Sequence, residues 1–192
     1  MKKLVALFMA SMMVFAAVPA MAEEAGFEEL QVGPEEDNEQ DVGSDGINEG
    51  ILHVAAVYFQ PVEMEPVAES GLALEDADIH IEADIHYNEN DLGFGVGDWA
   101  PYMTVDYKVI GSDGEVAAEG TFMTMNASDG PHYGANIALP NADTYTLEVT
   151  IHSPEENGYL LHVDSETGVE ADSFWDEPLT ATWTEWNFVK EW

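Results

Sequence analysis

From Asp78 to Tyr87 apolar and polar residues alternate one for one. Ile79, Ile81, Ala83, Ile85 and Tyr87 take one set of positions, and Asp78, His80, Glu82, Asp84 and His86 take the other. A two-residue period is that of a β-strand, with the first set on a core face and the second on the opposite face. A dense run of β-branched and aromatic residues predicts a strand from Ile51 to Phe59, closed by Pro61 and Pro66. Alternation predicts further strands at Met103 to Val109 and Tyr145 to Ile151. The turn GSDG, Gly111 to Gly114, predicts a returning strand from Glu115 to Met125. The C-terminal LTATWTEWNFVKEW holds three of the five tryptophans and predicts a last strand with a short tail. Nothing in the chain has long helical spacing. Short strands separated by turns predict an all-β fold, a single immunoglobulin-like β-sandwich over residues 51–192.

The two ends of the pattern differ from this core. Residues 1–22 carry Lys2 and Lys3, an apolar run, and Ala20 and Ala22 around Met21, the layout of a secretory signal peptide cut after Ala22. Its style is bacterial, so the expected compartment is the periplasm. No later segment approaches the roughly 20 consecutive apolar residues of a membrane span, so no direct membrane anchor is expected. Residues 23–50 are rich in Glu, Asp, Asn, Gln and Gly, and the stretch from Glu35 to Glu49 lacks a period that could bury a face. It is expected to be a flexible acidic segment.

Charge narrows the possible partners. Thirty-nine acidic residues against four basic ones give a formal net charge of −35, and loss of Lys2 and Lys3 with the signal would deepen it. Nucleic acid and anionic membrane surfaces both require lysine and arginine on the protein side, so neither is an expected partner. Cations are favoured, although the same acidity also serves as a solubility or high-salt adaptation. The chain has no cysteine. That excludes disulfides, thiolate metal sites, a lipid-modified cysteine and the thiolate-bound copper of electron-transfer cupredoxins.

Candidate chemistry lies in a few side chains. On a strand, His80 and Glu82 stand roughly 7 Å apart on one face and can converge on one ion, while His86, about 20 Å from His80, cannot join them. The same stretch also fits an edge strand with a solvated polar face. In FMTMNASDGPHYG, Met123 and Met125 share a strand face, and the turn SDGP returns His132 toward the strand end. A thioether is a soft ligand that survives in an oxidising compartment, but strand methionines commonly fill cores, the reading favoured for Met123. His162 has Asp164 and Glu166 beside it at the end of a predicted strand. His53, His86 and His152 receive no role; His53 and His152 stand on alternating strands without ligand-type neighbours. Gly93, Gly95 and Gly97 imitate a phosphate-binding loop but lack a following helix and a basic residue. No nucleophile–base pair stands at a catalytic spacing, so an enzyme is not expected.

Together the segments VYFQPVEMEP, ADIHIEADIH, GDWAPY, MNASDGPHYGAN and HVDSETGV, in this order, resemble the periplasmic iron-transport family that includes FetP and the Tpd antigen. The resemblance runs from about Ile51 to Pro178. It implies an immunoglobulin-like homodimer in the periplasm that captures iron, binds copper(II) at the same histidine–methionine site, with iron(II) or manganese(II) as further cargo, and serves a membrane iron permease. The family's metal ligands fall on His80, Glu82, Met125, His132 and His162. Glu82 shares the ion of the histidines or serves an adjacent one. Thr124 stands where the family carries proline, and the acidic stretch before Ile51 is longer than the family's. A periplasmic copper chaperone or copper-storage protein is the alternative function, and an adhesive module with incidental histidines is a third.

Overall fold

The strand from Ile79 to Tyr87 lies inside a sheet and carries the core on one face. Ile79, Ile81, Ala83, Ile85 and Tyr87 are all buried, as the alternation predicts. The computed structural model describes residues 29–34, 39–43, 50–190 and 192. The signal peptide expected at 1–22 lies outside the described residues.

Ten strands are found among them, arranged in two antiparallel sheets. They are β1 (Leu30–Gln31), β2 (Glu39–Val42), β3 (Leu52–Phe59), β4 (Ile79–Tyr87), β5 (Val105–Ile110), β6 (Val116–Thr121), β7 (Met123–Asn126), β8 (Pro131–Ile137), β9 (Asp143–Ile151) and β10 (Leu179–Phe188). One sheet runs β1, β3, β4, β8, β7, with β2 also on β3; the other runs β10, β9, β5, β6. Their apolar faces meet in a core that includes Leu52, Ile81, Tyr133, Leu147, Ile151, Trp183 and Trp186, each at most 1% exposed. This is the all-β, immunoglobulin-like sandwich expected from the strand pattern.

Two elements depart from the expected layout. The returning strand expected from Glu115 to Met125 is two strands in different sheets. β6 pairs with β5, and β7 pairs with β8 across the sandwich. Between them Phe122 turns inward, 5% exposed, stacks on Tyr107 and donates its N–H to the Val105 carbonyl at 2.8 Å. An unbroken alternation does not reveal that a strand changes sheets, because each half keeps its own period.

The second departure lies within residues 35–49, expected to be flexible, of which only 39–43 are among the described residues; the docking of Leu30 and Val32 ahead of them was left open by the sequence. Glu39–Val42 instead pairs with Ala55 to Leu52, and Leu30–Gln31 pairs with Tyr58 and Val57, so the two short strands lie end to end along one edge of β3. Val32 and Val42 enter the core. Gln40 then reaches to the other sheet: its side-chain amide donates to the Thr182 carbonyl and accepts from the Thr182 N–H at 3.0 Å. His53 lies 3.0 Å from Asp41 and 3.6 Å from Glu39. These carboxylates are the partners that sequence proximity did not show.

Candidate metal centre

The register of β4, β8 and β7 lays out a small grid on the face away from the core. His80 pairs with Asn136, Glu82 pairs with Gly134, and Met125 pairs with His132. Along β8 the two-residue period puts His132, Gly134 and Asn136 on one face. The position between the two histidines is held by glycine. A Cβ built on Gly134 would lie 2.9 Å from His80 Nε2, 3.1 Å from the Ile81 carbonyl oxygen and 3.3 Å from Glu82 Cγ. Absence of a side chain there lets the imidazoles approach Glu82 from both sides.

His80 Nε2 stands 3.2 Å from Glu82 Oε1, and His132 Nε2 stands 3.1 Å from the same oxygen. All three residues are buried, His80 completely, and one ligand atom from each lies within 4.8 Å of the others. The polar face of β4 is therefore not solvated at this end: Phe59 packs on the His80 ring at a centroid distance of 5.3 Å, and the chain after β3 folds over it. Despite the short distances, neither Nε2 has a hydrogen bond of acceptable geometry. Buried polar atoms are rarely left without partners, and two that lie within 3.2 Å of one carboxylate oxygen suit a cation shared among the three groups.

The electrostatics agree with that assignment. Burial opposes the Glu82 charge, but the His132 and His80 imidazoles outweigh it and hold the carboxyl down at about 2. Burial likewise disfavours the His132 cation, and the direct contact with Glu82, followed by the charges of Glu82, Asp84 and Asp129, more than offsets it, so its pKa is raised. Asp84, next along the face, is raised by its own burial and then by the Glu82 charge. Glu82 is thus an anion throughout the ordinary pH range.

Around this cluster is an open cleft of about 790 Å³ whose walls include Met125, Met64, Phe59, Glu63, Glu65 and Asp129. Of the five residues expected to hold metal, His80, Glu82 and His132 form the cluster and Met125 lines the same cleft. His162 does not join them within one chain. It follows no strand; Asp164 ties the chain there into a tight turn by accepting from the Glu166 and Thr167 N–H groups. The His162 side chain is 78% exposed and lies 3.0 Å from Asp164. Met123 packs on the core, as its reading as filler expects. His152 sits between Asp106 at 3.3 Å and Glu156 at 3.2 Å, a pairing across elements that the sequence left out. Its two ring nitrogens face different carboxylates, so they do not converge.

Sequence reasoning also missed Asn136. Its amide oxygen receives the Val62 N–H at 3.2 Å and lies 2.9 Å from His80 Nδ1, while its amide nitrogen donates to the Val62 carbonyl at 2.9 Å. The available signal was the two-residue spacing from His132 through Gly134 to Asn136.

Comparison with known proteins follows the same strands. Residues 36–190 match the Fe2+ transport protein family. The 34 kDa membrane antigen of Treponema pallidum is 44% identical over 180 residues, covering 91% of this chain and 82% of that protein. A UPF0423 protein of Brucella abortus is 42% identical over 144 residues, covering 73% of this chain and 75% of the other. The crystal structure of FetP from uropathogenic Escherichia coli, expressed in the periplasm, superposes with a TM-score of 0.70 at 42% identity, covering 85% of this chain and 98% of FetP. A copper-bound variant of Campylobacter jejuni P19 superposes with a TM-score of 0.69 at 39% identity, covering 84% and 98% of the two chains. Matched along most of its length in sequence and in structure, the chain belongs to the Fe2+ transport protein family.

Proposed function

We propose that this protein is a periplasmic metal carrier that captures iron at His80, Glu82, His132 and Met125 and delivers it to a membrane iron permease. The observation that carries the reading is the pair of buried, unpartnered Nε2 atoms converging on Glu82 Oε1. Imidazole and thioether ligands also suit copper(II), which outcompetes iron(II) and manganese(II) for most nitrogen-containing sites at equilibrium. Copper-bound forms of P19 are consistent with this. The carboxylate moves the balance toward the harder iron(II) and manganese(II). A net charge of −35 raises the local concentration of any cation, and the cleft then selects among them.

His162 enters this reading through a second copy of the chain. Its side chain is exposed, and Leu160 and Val163 beside it are 85% and 52% exposed, an apolar flank suited to an interface. In a homodimer, His162 of one copy would complete the site of the other.

The test is stoichiometric binding of copper(II), iron(II), manganese(II) and zinc(II) to wild type, His132→Ala and Met125→Ala. Tight binding of about one ion per chain that collapses in the variants upholds the carrier. Weak binding of many ions, unchanged by the substitutions, leaves only the acidic surface and sinks it. A copper chaperone or storage protein is the second reading, favoured by the copper-bound relatives. Growth of a deletion strain decides between them: a defect under iron limitation supports iron delivery, and one confined to copper excess supports copper handling.

A further inference from the structure

Asn136 is 5% exposed and has no place among the metal ligands, yet its amide is fully engaged. Both peptide groups of Val62 grip it. The Val62 N–H donates to Oδ1 at 3.2 Å and Nδ2 donates to the Val62 carbonyl at 2.9 Å. An amide turned the other way would set N–H against N–H and carbonyl against carbonyl, so this double contact fixes which end faces His80. The end that faces it is the oxygen, 2.9 Å from Nδ1. An amide oxygen only accepts, so Nδ1 must carry the proton of the neutral ring. Nε2 is then left with its lone pair, 3.2 Å from Glu82 Oε1. In the neutral ring that lone pair and the carboxylate oxygen repel each other, and either a second proton on the imidazole or a shared metal ion relieves the contact.

From this chain of contacts we infer that Asn136 is the positioning residue of the site: anchored by the Val62 peptide, it holds His80 in the Nδ1–H tautomer and presents Nε2 as a ready metal ligand. The inference deepens the carrier reading and rests on it for its purpose. The tautomer itself is a property of the metal-free protein. Partners of this kind set the orientation and basicity of a ligating histidine, and their loss typically weakens metal binding 10–100-fold. The same contact ties the segment carrying Glu63, Met64 and Glu65, which walls the cleft, to β8.

The experiment uses the purified protein with nitrogen-15-labelled histidine, without metal and at a pH above the usual histidine range. Long-range proton–nitrogen correlation reads which ring nitrogen of His80 is protonated, and a copper(II) titration follows on the same samples. Wild type is expected to show the proton on Nδ1. Asn136→Leu, close in volume but without an acceptor, is expected to show a mixture dominated by Nε2–H and a copper affinity lower by about 10–100-fold. Asn136→Asp keeps the acceptor and is expected to keep the wild-type tautomer with much less than a tenfold loss of affinity. An unchanged tautomer in Asn136→Leu overturns the inference, as does a wild-type proton on Nε2. If Asn136→Leu does not fold, wild type and Asn136→Asp still decide: loss of the Nδ1–H form in the latter overturns it. A wild type with the expected tautomer that binds no copper sinks the carrier reading and upholds the positioning.

Discussion

Glu82 and Gly134 face each other across β4 and β8, and the empty position over Gly134 is where the His80 ring comes closest. A methyl group there would sit 2.9 Å from His80 Nε2, a distance that forces the ring or the strand to shift. Gly134→Ala is therefore expected to lower copper(II) affinity at least tenfold. Overpacking of this kind also lowers stability by about 1–3 kcal/mol. Calorimetric titration and denaturant unfolding check the two effects; unchanged affinity would mean that the ring has room to swing aside.

Binding and proton uptake compete at His132. A raised pKa means that its contribution to the stability of the metal-free protein is complete below the unfolded value near 6.5 and is lost as pH rises through its higher folded value. A metal needs the neutral ring, so it gains where the proton leaves. The melting-temperature increase caused by one equivalent of copper(II) is expected to grow as pH rises through and above about 6.5. A gain independent of pH would remove His132 from the ligand set.

Glu82 behaves in the opposite sense. Its carboxyl is held at about 2, so its contribution to stability is present above its unfolded value of 4.5 and is lost as pH falls from there toward 2. Acid unfolding of the metal-free wild type is expected to be steeper across that window than that of Glu82→Gln. Equal acid profiles would show that the imidazoles do not stabilise the charge.

Met125 pairs with His132 and lines the cleft, and its sulfur favours soft ions. Met125→Leu is expected to weaken copper binding by at least tenfold while changing manganese(II) binding much less. Competition titrations measure the ratio. Equal losses for both metals would assign the thioether a packing role.

Self-repulsion is a separate matter from the site. Lys108 stands between Glu119 and Glu148 in register, and Lys190 holds Asp78 at 2.8 Å, so both lysines among the described residues already have anionic neighbours. With a net charge of −35 left over, the melting temperature is expected to rise with sodium chloride. A flat or falling response would show that charge repulsion does not limit stability.

Where a residue's role depended on its own strand, the sequence was informative. The alternation from Ile79 to Tyr87 marked the core face correctly, because a two-residue period is a local property of the backbone. It did not show that Phe59 and the following turn bury His80, since that cover comes from another segment. Asn136 was illegible for the same reason: its meaning lies in Val62, distant in sequence and joined only by the fold. The strand Glu39–Val42 hid behind its composition, because its acidic side chains find His53 and Asn88 only after pairing with β3. His162 was marked by its acidic neighbours and by family resemblance, and neither places it beside the cluster within one chain.

The bracing of β3 by β1 and β2 bears on how this protein survives being concentrated. Without them β3 would present eight residues of LHVAAVYF, much of it apolar, as a free edge on which another molecule could template. The two short strands cover that edge, and Gln40 spends its amide on the backbone of Thr182 at the margin of the second sheet. Residues 30–31 and 39–42 thus cover an edge of β3 that would otherwise be open to intermolecular strand pairing. A chain starting at Ile51 would keep His80, Glu82 and His132 and leave that edge open to strand pairing with another molecule.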